Sequence, residues 1–166
     1  MSGLVIRPEA AGDQPAIRAL HREAFGSDTE ADLVDELRDG GAVVLSLVAE
    51  DESQIVGHVF FSRLIVGENK KTASALAPIA VDPRRQRQGI GSILIGDAHR
   101  RPRMQGEALV FVLGDPAFYR RFGFLAETAQ PFRTPYYGPY LMALALSSDA
   151  PSSGTITYPA PFARLG

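Results

Sequence analysis

The sequence predicts an α/β (α+β) fold, a mixed central sheet flanked by helices. Three observations carry that prediction. Apolar runs of strand length alternate along the chain with stretches of helical periodicity. A cationic, glycine-bearing loop at residues 81–92 joins one such run to one such helix. No apolar stretch approaches the roughly 18 residues of a membrane span. At 166 residues the chain is expected to form one domain over 1–166 with a substantial core.

The elements follow in order. Leu4 to Arg7 is a short strand, and a turn from Pro8 leads to a helix running to about Phe25, with Asp13 as its N-cap. Ala16, Ile17, Leu20 and Ala24 share one face of that helix. A second helix spans about Thr29 to Arg38 and ends at Gly40-Gly41. Val43 to Glu50 and Gln54 to Val66 are strands around the tight turn Asp51-Glu52-Ser53. The turn Gly67 to Lys70 leads into a strand from Lys71 to Val81. Pro78 inside it removes a ladder donor, so it marks either an edge strand or a bulge. A helix from Gly89 to Arg101, a buried strand from Ala108 to Leu113 and a short helix near Pro116 to Arg121 come next. Strands near Gly138 to Leu146 and Thr155 to Tyr158 complete the sheet. The low-complexity stretch Ser147 to Gly154 reads as a flexible connector between them.

The most specific chemistry sits at Val81-Asp82-Pro83-Arg84-Arg85-Gln86-Arg87-Gln88-Gly89-Ile90-Gly91-Ser92. A strand, a cationic loop and a helix start place unpaired backbone N–H groups where a phosphate can dock. Leu94 stands where a dinucleotide fingerprint needs its third glycine, and Asp97 follows Gly96 where a P-loop needs lysine. What remains is Gln86-x-x-Gly89-x-Gly91. It resembles the acetyl-CoA pyrophosphate loop of the GNAT (Gcn5-related) N-acetyltransferases. Downstream, Leu113-Gly114-Asp115-Pro116-x-x-Tyr119-x-Arg121-Phe122-Gly123-Phe124 is similar to the family's second signature, in the wording of one predicted N-acetyltransferase branch. The two motifs stand in the family's order and at its separation. The resemblance covers roughly residues 3 to 146.

That resemblance implies the GNAT fold, in which two central parallel strands splay apart around acetyl-CoA. Here they would be Lys71 to Val81 and Ala108 to Leu113, with Pro78 as the splay point. It implies that the Ile79 amide meets the thioester carbonyl as an oxyanion-type donor. Ala80 and Val81 would meet the pantetheine arm. Amides from Arg87, Gln88, Gly89, Ile90, Gly91 and Ser92 would hold the pyrophosphate, with Arg84, Arg85 and Arg87 adding charge. It implies direct transfer to a primary amine of a small molecule or peptide, with Tyr119 as general acid toward the leaving sulfur. A tyrosine hydroxyl is protonated at pH 7. The alternative reading of Tyr119 is an aromatic anchor like Phe118, Phe122 and Phe124. Asp115 either caps the short helix or touches pantetheine. No base declares itself: His58 is the tentative choice, set against a hydrogen-bonded structural histidine, with Ser62 and Glu50 weaker. Tyr136, Tyr137 and Tyr140 either line the acceptor pocket or pack beside a loop. No metal is expected.

Charge and composition bound the alternatives. The net charge of −2 hides a polarity, with six arginines against one acid, Asp97, between Arg84 and Arg103. Seven acids stand against Arg22 and Arg38 between His21 and Asp39, which points weakly to a cationic acceptor attracted through Asp32 and Glu36. Overall acidity and the lack of interleaved aromatics argue against a nucleic-acid partner. Cysteine is absent, which removes disulfides, thiolate metal sites and a cysteine nucleophile. With no secretory signal, the cytoplasm is the expected compartment and no membrane partner is expected. A homodimer is left open. The rival to an enzyme is a catalytically silent acyl-CoA-binding sensor.

Overall fold

The computed structural model describes Gly3–Leu165, apart from the side chains of residues 69–71. Its strands are β1 (Leu4–Pro8), β2 (Val43–Asp51), β3 (Gln54–Val66), β4 (Asn69–Val81), β5 (Leu109–Leu113), β6 (Phe132–Arg133), β7 (Leu141–Ala145) and β8 (Gly154–Thr157). Its helices are α1 (Gln14–Phe25), α2 (Thr29–Asp39), α3 (Ile90–Arg100), α4 (Pro102–Gln105), α5 (Pro116–Tyr119) and α6 (Ala126–Ala129). Six strands lie in the order β1-β2-β3-β4-β5-β7, and β8 pairs with both β3 and β6. The central pair β4–β5 is parallel, while β1–β2, β2–β3, β3–β4 and β5–β7 are antiparallel. The predicted mixed sheet is the observed one. Among the described residues, no helix is long and apolar enough to cross a membrane.

Strand alternation divides the core between two faces. Val59, Phe61, Val110 and Val112 pack with Ile90, Leu94 and Ile95 of α3. Phe60, Leu64, Leu109 and Phe111 pack instead with Leu33, Val34 and Leu37 of α2. Helices thus cover both sides of a sheet whose middle strands are buried twice over, which is why those strands read as continuous apolar runs.

Local chemistry sets the helix ends. Gly41 takes φ +73° after α2, its N–H donates to the Arg38 carbonyl, and Ala42 N–H donates to the Leu37 carbonyl at 3.0 Å. That is a Schellman close, as Gly40-Gly41 predicted. Asp13 stands at the expected N-cap position of α1, but its carboxylate makes no cap bond to the helix. It accepts from Arg7 at 2.7 and 3.0 Å and from the Ala10 N–H at 2.7 Å, because a guanidinium on the neighbouring strand outcompetes the helix amides.

One feature of the sheet positions everything that follows. β4 and β5 pair only over Ala73–Leu109, Ser74–Val110 and Ala75–Phe111, although β4 runs six residues further, to Val81. The register of β4 against β3 slips between Leu76 and Ile79, the segment that holds Pro78. The proline therefore sits in a bulge, and the two strands part beyond it. The closed end of this fork is pinned. Arg63 donates twice to Glu107, at 2.7 and 3.0 Å, and the Ser74 hydroxyl donates to the same carboxylate. Thr72 Oγ1 donates to the Gly106 carbonyl at 2.9 Å.

Candidate active site

On the α3 side of the fork opens a cleft of about 570 Å³. Ile79 and Val81 of β4 form one wall, and alternation along the strand turns Ala80 away from it. The first turn of α3 forms the head of the cleft. Gly89 precedes that turn in the left-handed conformation, φ +85°, with no side-chain cap. The first N–H groups of α3 are therefore left for a ligand, at the positive end of its dipole. A Cβ at Gly91 would meet nothing closer than 3.8 Å, so its value here is an open approach to the backbone. Arg87 holds φ +65°, an uncommon conformation for a side-chain-bearing residue, and lines the cleft.

Of the cofactor-binding residues predicted from sequence, all but Ala80 and Gln88 line this cleft. Gln88 accepts from Arg85 Nε at 3.1 Å instead. The three loop arginines part company. Arg84 is tied to Asp82 and Arg85 reaches Asp51 at 2.8 Å, so Arg87 is the loop cation that lines the cleft. Sequence reasoning missed a second cation, Arg121, which lies 5.6 Å from the Phe118 ring centre and borders the cleft beside it. The Phe-Tyr-Arg-Arg run held the signal, but only the short helix decides which arginine faces inward. Gln86, also in the motif, lines the cleft and donates to the Val81 carbonyl at 3.2 Å.

Asp115 caps α5: its Oδ1 accepts from the Ala117 N–H at 3.0 Å. That cap starts the turn that carries Phe118 toward the cleft and Tyr119 behind it. Tyr119 is 8% exposed, and its ring packs edge-on against Phe118 and Phe124. It lies directly over Gly114, one residue past the β5 arm of the fork; a Cβ there would stand 2.6 Å from the ring. Burial, helped by nearby Asp115, pushes its hydroxyl up to about 12. The hydroxyl is therefore protonated throughout the physiological range, as a proton donor must be.

His58 is elsewhere. It shares the α2-facing side of β3 with Phe60, away from α3, and is wholly buried. Its Nε2 lies 2.8 Å from Ser46 Oγ and its Nδ1 lies 2.8 Å from His21 Nε2. Ser46 gives its single proton to Glu9 at 2.6 Å. His58 must then donate from Nε2 and accept at Nδ1, leaving His21 as the donor. Burial lowers both histidines, His21 to about 3. The one lone pair His58 offers is already taken, and its ring lies on the face of β3 turned away from α3 and the cleft. The weaker choices also lie off the cleft. Ser62 is buried, and Glu50 pairs with Arg7 at 3.2 Å.

Beyond the fork, on the α2 side, Tyr136 borders a small chamber, while Tyr137 and Tyr140 are exposed and line neither it nor the cleft. The acids expected to attract a cationic acceptor have partners in the fold. Arg18 pairs with Asp32 at 2.6 Å and Asp35 at 2.9 Å, and Arg38 pairs with Asp35 and Glu9. Glu36 pairs with Arg164 from the far end of the chain. Asp32, Asp35 and Glu36 of α2 are thus paired within the fold, which no count of charges reveals.

Comparison with known proteins agrees with this geometry. A family profile described as "Acetyltransferase (GNAT) domain" matches residues 5–126. The uncharacterized N-acetyltransferase YhbS of Escherichia coli is 43% identical over 122 residues, 73% of each chain. The crystal structure of E. coli YhbS in complex with CoA matches with a TM-score of 0.89 at 36% identity, over 98% of this chain and 93% of that one. A GNAT family acetyltransferase from Brucella melitensis in complex with acetyl-CoA gives a TM-score of 0.81 at 35% identity, over 96% and 97%.

Proposed function

This chain belongs to the GNAT acetyltransferase family, and we propose that it moves an acetyl group from acetyl-CoA to a primary amine by direct attack in a ternary complex. The observation that carries this reading is the fork. A parallel strand pair parts at Pro78, and the uncapped α3 N-terminus stands at the end of the resulting cleft with Arg87 and Arg121 beside it. A pyrophosphate fits the amides and cations, and a pantetheine arm fits between the strands. Relatives solved with CoA and with acetyl-CoA support the same ligand.

In the reaction the neutral amine nitrogen attacks the thioester carbonyl carbon, forming the N–C bond. The Ile79 amide beside the bulge receives the developing oxyanion. The C–S bond then breaks, Tyr119 donates its proton to the departing sulfur, and the amine's surplus proton leaves through solvent. His58 takes no part, since its lone pair is engaged by His21.

Acetyl-CoA-dependent thiol release across a panel of amines tests the reading, with acetyl-CoA binding measured in the same samples. Tyr119→Phe is expected to lower kcat by about 10²–10⁴-fold, the range for general acid–base catalysis, and to leave acetyl-CoA affinity unchanged. Binding without thiol release for any amine would favour the sensor. Full activity in Tyr119→Phe would make the tyrosine an anchor.

A further inference from the structure

The fork has a second opening. On the other side of the bulge from Ile79, segments 75–77 of β4 and 111–113 of β5 border a chamber of about 120 Å³. Tyr136, Tyr158 and Phe162 from the C-terminal part of the chain close it. Their rings stack edge-on in sequence, Tyr136 on Tyr158 at 4.7 Å and Tyr158 on Phe162 at 5.2 Å. None of the residues lining this chamber is charged. The Tyr136 hydroxyl is spent on the Phe162 carbonyl at 3.0 Å. Asp32 and Glu36 of α2 are held by Arg18 and Arg164.

We propose that this chamber seats the substituent of the acceptor amine, which makes the acceptor an alkyl or arylalkyl primary amine rather than a polyamine or aminoglycoside. The inference rests on the acetyltransferase reading. An acyl thioester held at the bulge has the cleft on one side and the chamber on the other. The attacking nitrogen must stand at the carbonyl, so the group attached to it extends into the chamber. A second ammonium placed there would lose its water and meet no counter-charge. Size sets an upper bound. An apolar protein cavity of about 150 Å³ accepts benzene, so this chamber takes a group of comparable or slightly smaller bulk.

The test is initial-rate thiol release at saturating acetyl-CoA for methylamine, propylamine, butylamine, hexylamine and phenethylamine, with 1,4-diaminobutane as the length-matched dication. Each well-seated methylene is worth about tenfold or more in specificity. We expect kcat/KM to climb about tenfold or more with each methylene seated between methylamine and butylamine, then to level or fall once the chamber is full. The diamine is expected at least about tenfold below butylamine. Leu165 borders the chamber yet is 40% exposed, so Leu165→Asp should fold. It should raise KM for butylamine, lower KM for the diamine and leave KM for acetyl-CoA alone.

A diamine equal to or better than butylamine overturns the proposal, as does failure of every alkyl amine. A flat amine series with faster transfer from butyryl-CoA assigns the chamber to the acyl group and also overturns it. An enzyme that binds acetyl-CoA and acetylates polycations alone keeps the acetyltransferase reading and loses this one. Transfer to no amine at all loses both.

Discussion

The ring of Tyr119 rests on the backbone of Gly114, and nothing larger than hydrogen fits between them. A Cβ at Gly114 would lie 2.6 Å from Cε2 and 3.3 Å from Cδ2 of the ring. The ring has little room to yield, being packed against Phe118 and Phe124 within the α3-side core. Gly114→Ala is therefore expected to cost about 1–3 kcal/mol by overpacking and to tilt the hydroxyl away from the sulfur. Steady-state kinetics should show kcat falling by an order of magnitude or more while KM for acetyl-CoA holds. An unchanged kcat would mean that Tyr119 position does not matter to the chemistry. The motif words containing Gly114 and Tyr119 were legible in the sequence. The reason for the glycine was not, because a contact between residues five apart needs the helix turn in place before it can be seen.

At the scale of elements, long periodic segments were readable and short ones were not. The first helix pair, the β2–β3 hairpin, the strand–loop–helix from β4 to α3, and β5 all stand within a few residues of their expected ends. α4, α6 and β6 span four, four and two residues, too few to show a period, and their existence depends on the tertiary surface they lie against. β8 is the expected last strand, but its pairing with Ile65 and Val66 of β3 and with β6 joins segments far apart in sequence. Gly57 marks another such limit. It reads as one residue of an apolar strand, yet it is where α3 crosses β3. A Cβ there would stand 2.8 Å from Ile90 Cγ2 and 3.0 Å from Leu94 Cδ1. Both residues belong to the first turns of α3, the helix whose N-terminus heads the cleft. Gly57→Ala should push that end outward, weakening acetyl-CoA binding about tenfold or more and lowering Tm. Calorimetric titration checks the first effect. Native affinity in the variant would show that α3 yields without moving its loop.

The polar network on the opposite face ties the molecule together across five segments. Glu9 follows β1, His21 belongs to α1, Arg38 to α2, Ser46 to β2 and His58 to β3. Arg38 donates to Glu9 at 2.8 and 3.0 Å, and Ser46 bridges Glu9 to His58. Burial alone would raise Glu9, but His58 at 3.7 Å and hydrogen bonds from Arg38 and Ser46 outweigh it and hold the carboxyl at about 2. The chain of donors runs from His21 to Glu9 and leaves His21 Nδ1 buried without a partner among the described residues. That atom has nowhere to put a proton, so burial, reinforced by His58 and Arg38, keeps His21 neutral down to about pH 3. In the unfolded chain it takes one up near pH 6.5. Between those values the unfolded state binds more protons than the native state, so stability falls as pH falls. From pH 7 to 5 the loss is up to about 2 kcal/mol for His21, with His58 adding in the same direction. Below about pH 4.5 Glu9 joins, since its folded value is also depressed. Thermal melts should therefore show Tm dropping steadily from pH 7 to pH 5, before most carboxylates titrate. His21→Phe, which can keep the stack on Phe25, should flatten that slope, although it removes the donor to His58 Nδ1. A Tm independent of pH over this window would mean that the histidine pair takes up protons as readily when folded as when unfolded.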